Sequence, residues 1–386
     1  MPPKGILVYY HCRSNTGYAI GRHEPDFLEM AEQLTGSLRN VHLGYTSLKG
    51  GHPDYVPPNF ANIIVFDPKM PNPQSLKLVY DYIKHNEIDT AFGFDQPVAN
   101  PFYTVMRKAG VKVLVSYWGA PMSSLNHGMK LLLKRVGVAL TSHKPDHYIF
   151  QSEAMADSAV LGRGIPRNRV SVIPNAVDTK IFYPDKAHAE YAYNVFDIPR
   201  GRKLFFYSGH MEDRKGVHVI VNAAKELLDT RKREDIHFLI LGNRGDEACR
   251  FENMISKSRA RDHITFGGYR NDVDCIHKSC YAGIIASTGW DSFTMSSMEM
   301  ASSGLPLIVS RLQGLKETII DGKTGLSIEP GSHLDLADKI ELLTDDHELR
   351  DSMSEASRVR VVEKYNLEKH ISDLVSLMTR LYSRHG

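Results

Sequence analysis

Cysteine is scarce in this sequence, which has only Cys12, Cys249, Cys275 and Cys280 in 386 residues. So few thiols in so long a chain do not make the disulfide scaffold that small secreted domains use. The spacing of Cys275, His277 and Cys280 could indicate zinc, but positions i, i+2 and i+5 scatter around a helix and do not share one face. We therefore expect no metal there, and a reducing, cytoplasmic environment.

Long apolar runs are also missing. The N-terminal segment MPPKGILVYYHCRSNTG contains only the short run GILVYY, residues 5–10. That run is too short for the core of a signal peptide or for a membrane span. It is instead typical of a first buried β-strand.

Neither sign of charge dominates, since 47 Lys and Arg stand against 45 Asp and Glu. With so small a net charge, the protein as a whole is not expected to attract a polyanion, so we expect no nucleic-acid partner. Any anion-binding site must be formed by a local group of residues. The turn after the first strand lacks a GxGxxG fingerprint, which counts against an NAD enzyme. No Asp-x-Asp motif stands out in a suitable loop, so no metal ion is expected as a cofactor.

What the sequence does have is a regular alternation of short apolar runs and helical patterns. Strands that are apolar throughout and separated by helices predict parallel sheets covered on both faces. Two series of strands of about equal length predict an α/β protein with two doubly wound, Rossmann-like domains, which also suits the chain length. The predicted strands are 5–10, 62–66, 88–94, 111–117, 146–151 and 169–173, and then 203–209, 236–242, 263–268, 281–287, 305–310 and 324–328.

The boundary between the two domains is expected in residues 173–203, a segment rich in proline and turn residues without a clear period. We place an N-terminal domain at 1–184 and a C-terminal domain at 185–365. The last segment, 366–386, has a helical pattern but follows no strand of its own.

Ligands of open parallel sheets bind beyond the carboxyl ends of the strands, so the residues that follow strands are the candidates for a site. In YSGHMEDRKGVHVI, residues 207–220, Arg214 and Lys215 precede a helix predicted to start near Gly216. The helix dipole disfavours cations at this end and favours anions. Two adjacent cations there indicate a shared bound anion such as a phosphate; two solvated loop charges are the alternative.

A second candidate is GWDSFTMSSMEMASSGLPLIVS, residues 289–310. Asp291 precedes a predicted helix whose first-turn amides could hold a phosphate, and Glu299 lies in its second turn. Ser296, Glu299 and Ser303 share one face of this helix. A solvated face is the alternative, but the helix lacks the Lys and Arg of most surface faces. We therefore expect Glu299 to accept hydrogen bonds, for instance from a sugar diol.

A third and weaker candidate is RSNTGYAIG, residues 13–21, between the first strand and a helix expected to begin near Glu24. Gly17 in this polar turn would allow the backbone to approach a phosphate or a sugar closely.

The segment 289–310 resembles the signature of the nucleotide-sugar-dependent retaining glycosyltransferases of family 4, which have the GT-B fold. That signature has two acidic residues separated by seven others, with a Phe-Gly pair after the first, then Glu-Ala-Met-Ala, Gly and Pro. Four other segments resemble family elements in the family order, and the resemblance covers residues 146–331 well. They are IFQSEAMADSAVLGRGIPRNRV at 149–170, VSVIPNAVDTKIFYP at 170–184, FYSGHMEDRKG at 206–216 and GLKETIIDGKTGLSIEPG at 314–331.

The resemblance implies a GT-B architecture, in which both domains face a cleft and the final helix returns to the N-terminal domain. It implies that Lys215 holds the donor diphosphate, that Glu299 binds the ribose hydroxyls and that Asp291 faces the transferred sugar. The expected catalytic residues are Asp291, Lys215, Arg214 and His210. The backbone around Phe293, Thr294, Met295 and Ser296 would hold phosphate and sugar, and residues near Gly242, Asn243, Tyr269 and Arg270 would line the base pocket.

The sequence departs from the family pattern at four positions. Asp291 replaces the usual glutamate, and His210 replaces the loop arginine, so that either Arg214 or a protonated His210 would supply the missing charge. Thr294 replaces the glycine of the Phe-Gly pair. Trp118 stands where the family commonly has a histidine. These departures concern the preference for donor and acceptor rather than the fold.

The implied activity is the transfer of a sugar, with retention at the anomeric carbon, from a nucleotide-sugar donor to a hydroxyl group. A UDP-sugar is the first expectation for the donor, and the acceptor would be a glycan, a lipid-linked sugar or a small molecule, as in polysaccharide biosynthesis. Two alternatives stay open: a non-hydrolysing nucleotide-sugar epimerase, and a protein of the same fold that binds nucleotide sugars or glycans without catalysis.

Two features of the N-terminal half concern the acceptor. Trp118 offers an apolar platform for a sugar ring, with an ordinary core tryptophan as the alternative. In NHGMKLLLKRVGVAL, residues 126–140, Lys130, Lys134 and Arg135 lie among leucines. This pattern predicts either peripheral contact with anionic lipid on the inner face of the membrane or a buried helix with a basic edge.

Overall fold

A computed structural model describes residues 2–385, and in it the chain forms two compact units. Unit 1 comprises the described residues up to Pro174 together with those from Glu368 onward, and unit 2 comprises Asn175–Leu367. The boundary therefore falls after Pro174, earlier in the chain than the position after Pro184 predicted from composition. The reason is that this segment bonds to unit 2: the carbonyl of Phe182 accepts hydrogen bonds from Ser302 Oγ at 2.6 Å and from Arg358 Nη1 at 2.8 Å.

Unit 1 is built on a seven-stranded sheet with the order β3-β2-β1-β4-β5-β6-β7, and all neighbouring strands are parallel. Its strands are β1 Ile6–Tyr9, β2 Val41–Tyr45, β3 Ile63–Val65, β4 Thr90–Phe94, β5 Val113–Trp118, β6 His147–Phe150 and β7 Val170–Val172. Its first five helices are α1 Tyr18–Thr35, α2 Pro73–His85, α3 Pro101–Ala109, α4 Gly128–Leu140 and α5 Glu153–Asp157. Separate apolar clusters cover the two faces of the sheet.

Unit 2 has a six-stranded parallel sheet with the order β10-β9-β8-β11-β12-β13. Its strands are β8 Lys203–Ser208, β9 Ile236–Leu241, β10 Ile264–Phe266, β11 Ala282–Ile285, β12 Leu307–Ser310 and β13 Gly325–Ile328. Its helices are α6 Tyr191–Val195, α7 Val217–Lys225, α8 Cys249–Ile255, α9 Val273–His277, α10 Met295–Ser302, α11 His333–Asp345 and α12 His347–Lys364. The predicted fold class, two doubly wound parallel-sheet domains, is confirmed.

The last helix, α13, spans Leu367–His385 and belongs to unit 1. Its apolar side packs into the cluster that contains β1 and α1 residues, with Leu374, Leu377 and Leu381 buried. Near its end, Tyr382 Oη donates a hydrogen bond of 2.5 Å to Asp89. These contacts account for a helix that follows no strand of its own.

One strand, β2, was not predicted from the pattern of apolar runs. β2 contains His42 and Gly44, so it does not form the continuous apolar run that marks the other strands. His42 is nevertheless buried, and its Nδ1 lies 3.0 Å from Tyr82 Oη. A Cβ atom on Gly44 would lie 2.8 Å from Tyr9 Cβ and 2.9 Å from the Phe66 ring, so β2, which is paired on both sides, has no room for a side chain there.

The start of α1 also differs from the prediction, which placed it near Glu24. The helix begins at Tyr18, directly after Gly17, which has a φ of 68° and occupies the N-cap. Pro25 lies inside α1, where it removes one backbone donor, and this explains why the sequence alone favoured a later start.

Candidate functional site

The predicted donor-side residues of unit 2 follow β8 and β11, which are neighbours in the sheet although they are not consecutive in the chain. The strand order reverses between them, and doubly wound sheets bind ligands beyond the carboxyl ends of strands at such a position. Gly216 brings the two loops together. It has a φ of +73°, and a Cβ atom there would lie 1.8 Å from the carbonyl oxygen of Ala286.

The centre of the site is an ion pair between these two loops. Lys215 Nζ lies 3.0 Å from both Oδ1 and Oδ2 of Asp291. The Asp291 side chain is 4% exposed and that of Lys215 is 18% exposed. Asp291 also accepts hydrogen bonds from Ser287 Oγ at 2.6 Å and from the Ser292 amide at 3.0 Å. The turn that carries Asp291 is therefore fixed to the ammonium group that the sequence assigned to the diphosphate.

The other two predicted cations of the β8 loop share one carboxylate. Arg214 Nε donates to Glu212 Oε2 at 2.7 Å, and His210 Nδ1 lies 3.5 Å from Glu212 Oε1. Arg214 also donates from Nη1 to the carbonyl of Trp290 at 3.1 Å, which attaches it to the Asp291 turn. The His210 side chain is 78% exposed. Of the two, Arg214 is the one bonded to the second loop.

The beginning of α10 is set by two polar side chains. Thr294 is the N-cap residue, and its Oγ1 accepts a hydrogen bond from the Ser297 amide at 3.3 Å. This is the preferred role of threonine at a helix start, and it explains a side chain where the resembled family has glycine. Asn175 Nδ2 donates to the carbonyl of Phe293 at 2.6 Å. The first-turn amides of Met295 and Ser296, which have no acceptor within a helix, point out of this end.

Helix α10 is buried rather than solvated. Glu299 is 4% exposed and Ser303, one helical turn further on, is equally buried. Ser303 Oγ donates to the Glu299 carbonyl at 3.0 Å and lies 3.2 Å from His277 Nδ1. The alternative of a solvated polar face is therefore wrong. Ser296, near the start of the helix, is half-buried.

The residues predicted to line the base pocket follow β9 and β10. Asn243 Oδ1 accepts a hydrogen bond of 3.0 Å from the Gly268 amide and so joins the two turns. The Tyr269 ring is 49% exposed and lies 4.6 Å from the Arg244 guanidinium. Arg270 is held by Asp272, with its Nε 2.8 Å from Oδ1. Side-chain hydrogen bonding to Arg270 lowers the pKa of Asp272 to about 2, despite an opposing effect of burial.

Two predicted residues lie in unit 1. Gly17 is exposed in the turn before α1. Trp118 ends β5 and stacks on Phe150 with ring centroids 6.3 Å apart. The indole Nε1 of Trp118 is buried and has no hydrogen-bond partner among the described residues. Trp118 is thus partly a core residue, and its buried donor is unpaired.

Helix α4 is not the buried helix with a basic edge that was one of the two expectations for this segment. Within it only Val138 is buried. Five apolar residues of α4 are exposed, with the exposed fraction given after each: Met129 69%, Leu132 52%, Leu133 65%, Val136 47% and Leu140 80%. They follow helical spacing and form one stripe, which we call the α4 stripe. Lys130 and Arg135, both exposed, flank it. None of the helices described is both long and apolar enough to cross a membrane.

Three residues that position the site were missed in the sequence. Ser287 and Glu212 bond to predicted site residues, and Asn175 fixes the turn before α10. Ser287 and Glu212 are common polar residues in loops, and nothing in their spacing singles them out. Asn175 lies in the segment 170–184 that resembles a family element, so its position carried a signal, but only the fold pairs it with Phe293.

Residues 193–360 match a family model described as glycosyl transferases group 1. Among curated relatives, a D-inositol 3-phosphate glycosyltransferase of Arthrobacter sp. strain FB24 is 26% identical over 282 residues. That match covers 66% of this chain and 64% of the relative, which is less than two thirds of the relative's length. The family match lies entirely within unit 2.

Solved structures support the fold over nearly the whole chain. A glycosyltransferase from Rickettsia africae ESF-5 superposes with a TM-score of 0.78 at 16% identity and covers 98% of both chains. Anabaena Alr3699/HepE in complex with UDP has a TM-score of 0.77 at 14% identity, and the match covers 97% of this chain and all of that one. At these identities the likeness concerns the fold, and each unit has the Rossmann-like architecture of GT-B glycosyltransferases.

Proposed function

We propose that this protein is a glycosyltransferase that transfers a sugar from a nucleotide-sugar donor to an acceptor hydroxyl, and that unit 2 binds the donor. The observation that carries the proposal is the Lys215–Asp291 pair, which lies where the strand order of the unit 2 sheet reverses. Residues 193–360 of the same unit match the family model of glycosyl transferases group 1. The same turn leads directly into α10, so cation and helix N-terminus stand at one position in the fold.

The diphosphate of the donor would bind between Lys215 and the start of α10. An ammonium group has three donors, and Asp291 engages at most two of them, which leaves one for a phosphate oxygen. The free amides at the helix start favour an anion as well. Arg214, bonded to the carbonyl of Trp290, adds a second cation to this site. Asp291 then has a further role, since it positions Lys215.

The nucleoside would lie beyond β9 and β10. Glu299, in the helix that follows the phosphate site, is assigned to the ribose hydroxyls, because a carboxylate accepts both hydrogens of a diol. The half-exposed Tyr269 and Asn243 lie after the neighbouring strands and are assigned to the base. UDP is the nucleotide we propose, because the similarly folded Anabaena protein was solved with UDP.

In the reaction, the bond between the anomeric carbon and the β-phosphate oxygen breaks and a bond to the acceptor oxygen forms. The acceptor proton leaves with the departing phosphate. Charge builds up on that phosphate, and fixed cations and amides stabilise it more in the transition state than in the ground state. We propose that these groups act without a metal ion, and that the configuration at the anomeric carbon is retained.

The acceptor is assigned to unit 1, and the α4 stripe supports an acceptor held in a membrane. An exposed apolar stripe flanked by Lys130 and Arg135 is suited to lie in the interface of an anionic membrane. We therefore propose a lipid-linked acceptor and peripheral contact with the cytoplasmic face of a membrane. The half-buried ring of Trp118 is assigned to the acceptor, as an apolar surface for a sugar ring.

The test is a panel of UDP-, GDP-, ADP- and dTDP-sugars in which nucleotide release is measured with and without extracted membrane lipids. We expect release from a UDP-sugar that persists in EDTA and falls strongly in Lys215→Ala. Lys339→Ala is the matched control, because Lys339 lies on α11 and belongs to neither loop.

Two results would contradict the proposal. Tight nucleotide binding with no release from any donor or acceptor extract would favour a binding protein. Conversion of a nucleotide sugar into its epimer without an acceptor would favour an epimerase. Proton NMR of the first-formed product decides retention separately.

A further inference from the structure

Unit 1 contains a buried group of metal-ligating side chains, which the proposed transfer reaction does not use. His23 and Asp26 lie on α1 and His370 lies on α13, and one ligand atom from each lies within 4.8 Å of the other two. The three residues are 4%, 7% and 3% exposed. Among the described residues, this is the single group of three or more His, Cys, Asp and Glu side chains close enough to hold one ion.

The fold brings these residues together from distant parts of the sequence. His23 and Asp26 are three positions apart, so they lie on the same face of α1. His370 lies in the first turn of α13, where the chain has just returned from unit 2. Its Nδ1 lies 2.8 Å from the carbonyl of Pro174, the last residue of unit 1 before the chain leaves it.

Two nitrogens of this group have no hydrogen-bond partner. His23 Nδ1 and His370 Nε2 are both fully buried and unpaired. A buried polar atom without a partner costs free energy and is rare in proteins, so each such atom requires an explanation. Here two of them belong to residues whose ligand atoms converge with a carboxylate.

The other nitrogen of each ring has a neighbour. Pro174 offers only a carbonyl, so His370 Nδ1 carries the hydrogen and Nε2 carries the lone pair. His23 Nε2 lies 3.2 Å from the side-chain amide of Gln151, whose nitrogen and oxygen are interchangeable by rotation. When the amide oxygen faces the ring, His23 Nε2 carries the hydrogen and donates it to that oxygen. His23 Nδ1 then carries a lone pair that can bind a metal ion. Metal-binding histidines are usually held in this way by a second residue.

We propose that His23 Nδ1, Asp26 and His370 Nε2 bind one divalent transition-metal ion of the zinc class. Two imidazoles and one carboxylate suit zinc and its neighbours in the first transition row, whereas magnesium and calcium prefer oxygen ligands alone. The ion joins α1 to the first turn of α13 and so fixes the returning helix to unit 1. This site is structural and independent of the metal-free transfer reaction proposed above.

The experiment uses the full chain, stripped with a chelator and then dialysed against Zn²⁺ or Co²⁺. We expect one equivalent of metal by elemental analysis and a higher thermal unfolding midpoint in the presence of Zn²⁺. Asp26→Asn and His370→Gln should lose both effects. His147→Asn should keep them, because His147 is another buried histidine of unit 1 that bonds to Ser171 instead.

The proposal is overturned if the folded wild-type protein retains no stoichiometric metal after dialysis. It is also overturned if the variants retain as much as the wild type, since other histidines would then be binding the ion. If a variant does not fold, the ligands are identified instead by X-ray absorption spectroscopy of the wild-type protein loaded with Co²⁺. Two imidazoles and a carboxylate oxygen in the first coordination shell support the site, and a shell without imidazole contradicts it.

Discussion

Lys215 Nζ lies 3.0 Å from both carboxylate oxygens of Asp291, although the two residues are 76 positions apart in the sequence. The pair joins the loops after β8 and β11, and Ser287 and the Ser292 amide bond to the same carboxylate. The family resemblance assigns the two residues to different parts of a donor. In the fold they form one unit, so a change in either must affect the other.

This coupling predicts the outcome of a double-mutant cycle. Removal of one partner from a buried pair costs about 3–5 kcal/mol of unfolding free energy, and replacement of both can be nearly neutral. We expect Lys215→Met and Asp291→Asn each to fall at the low end of that range, because the Lys215 side chain is 18% exposed. The double variant should be less destabilised than the sum of the two. Urea unfolding measures all three.

The control for this cycle is the pair of Arg167 and Glu153, whose side chains are 53% and 62% exposed. Exposed pairs contribute about 0–1 kcal/mol, so Glu153→Gln should change the unfolding free energy by no more than that. Strictly additive effects of Lys215→Met and Asp291→Asn would show that the observed ion pair is not a coupled unit.

Glu299→Gln should weaken the binding of UDP if Glu299 holds the ribose. Hydrogen bonds to a charged group contribute about 1.5–3 kcal/mol, and titration calorimetry measures the loss directly. Ser302→Ala is the matched control. Ser302 is buried in the same helix, but its Oγ donates to the Phe182 carbonyl, so its loss should lower stability and leave UDP affinity unchanged. If Glu299→Gln and the wild type bound UDP equally well, the assignment of Glu299 to the ribose would be wrong.

The α4 stripe predicts binding to vesicles that contain anionic lipid. Burial of one leucine side chain is worth about 1.5–3 kcal/mol, so Leu133→Ser should reduce the vesicle partition coefficient by roughly tenfold or more. Leu334→Ser, at a leucine of unit 2 that is 50% exposed, should leave it unchanged. Sedimentation with vesicles at low and high salt gives both values. Equal sedimentation of Leu133→Ser and Leu334→Ser with the vesicles would show that the α4 stripe does not bind lipid.

The stability of unit 2 should decline as the pH falls below about 6.5. Burial lowers the pKa of His277 to about 3, and burial together with Arg202 lowers that of His237 to about 3. Between pH 6.5 and 3 the unfolded state therefore binds more protons than the folded state, and each such histidine removes up to about 1.4 kcal/mol of stability per pH unit. Above pH 6.5 this loss is absent.

His277→Gln should flatten the pH dependence of the unfolding free energy over that range, whatever it does to the absolute value. His127→Gln, at an exposed histidine, should leave the slope as it is. Urea titrations between pH 4 and 7 supply the slopes. An unchanged slope in His277→Gln would mean that this ring is protonated in the folded state.

Most of the fold was predictable because each domain is made of repeated short-range patterns. Apolar runs of strand length mark strands that are covered on both faces, and the alternation with helices implies parallel pairing. The prediction failed where tertiary contacts replaced the pattern. β2 tolerates His42 because Tyr82 bonds to it, and the domain boundary moved because Phe182 bonds to Ser302 and Arg358.

The sequence named candidate residues for the site but not the partners of their side chains. Arg214, Lys215 and Asp291 were named because residues after strands converge in doubly wound sheets, and Glu299 was named for its place on one face of the predicted helix. The pairing of Lys215 with Asp291, the cap at Thr294 and the support from Asn175 depend on distances that no sequence spacing encodes. The assignment of these residues to parts of a nucleotide sugar stays a prediction.

The sequence by itself determined the α/β class, the two sheets and the loops that carry the polar residues, because strand and helix periodicity is a local property of the chain. Only the tertiary structure decided that α4 is exposed, that α10 is buried and that His370 meets His23 and Asp26 across more than three hundred residues. The physical reason is that burial and side-chain partners depend on which surfaces pack together. An apolar stripe has the same sequence pattern whether it faces a core or the solvent.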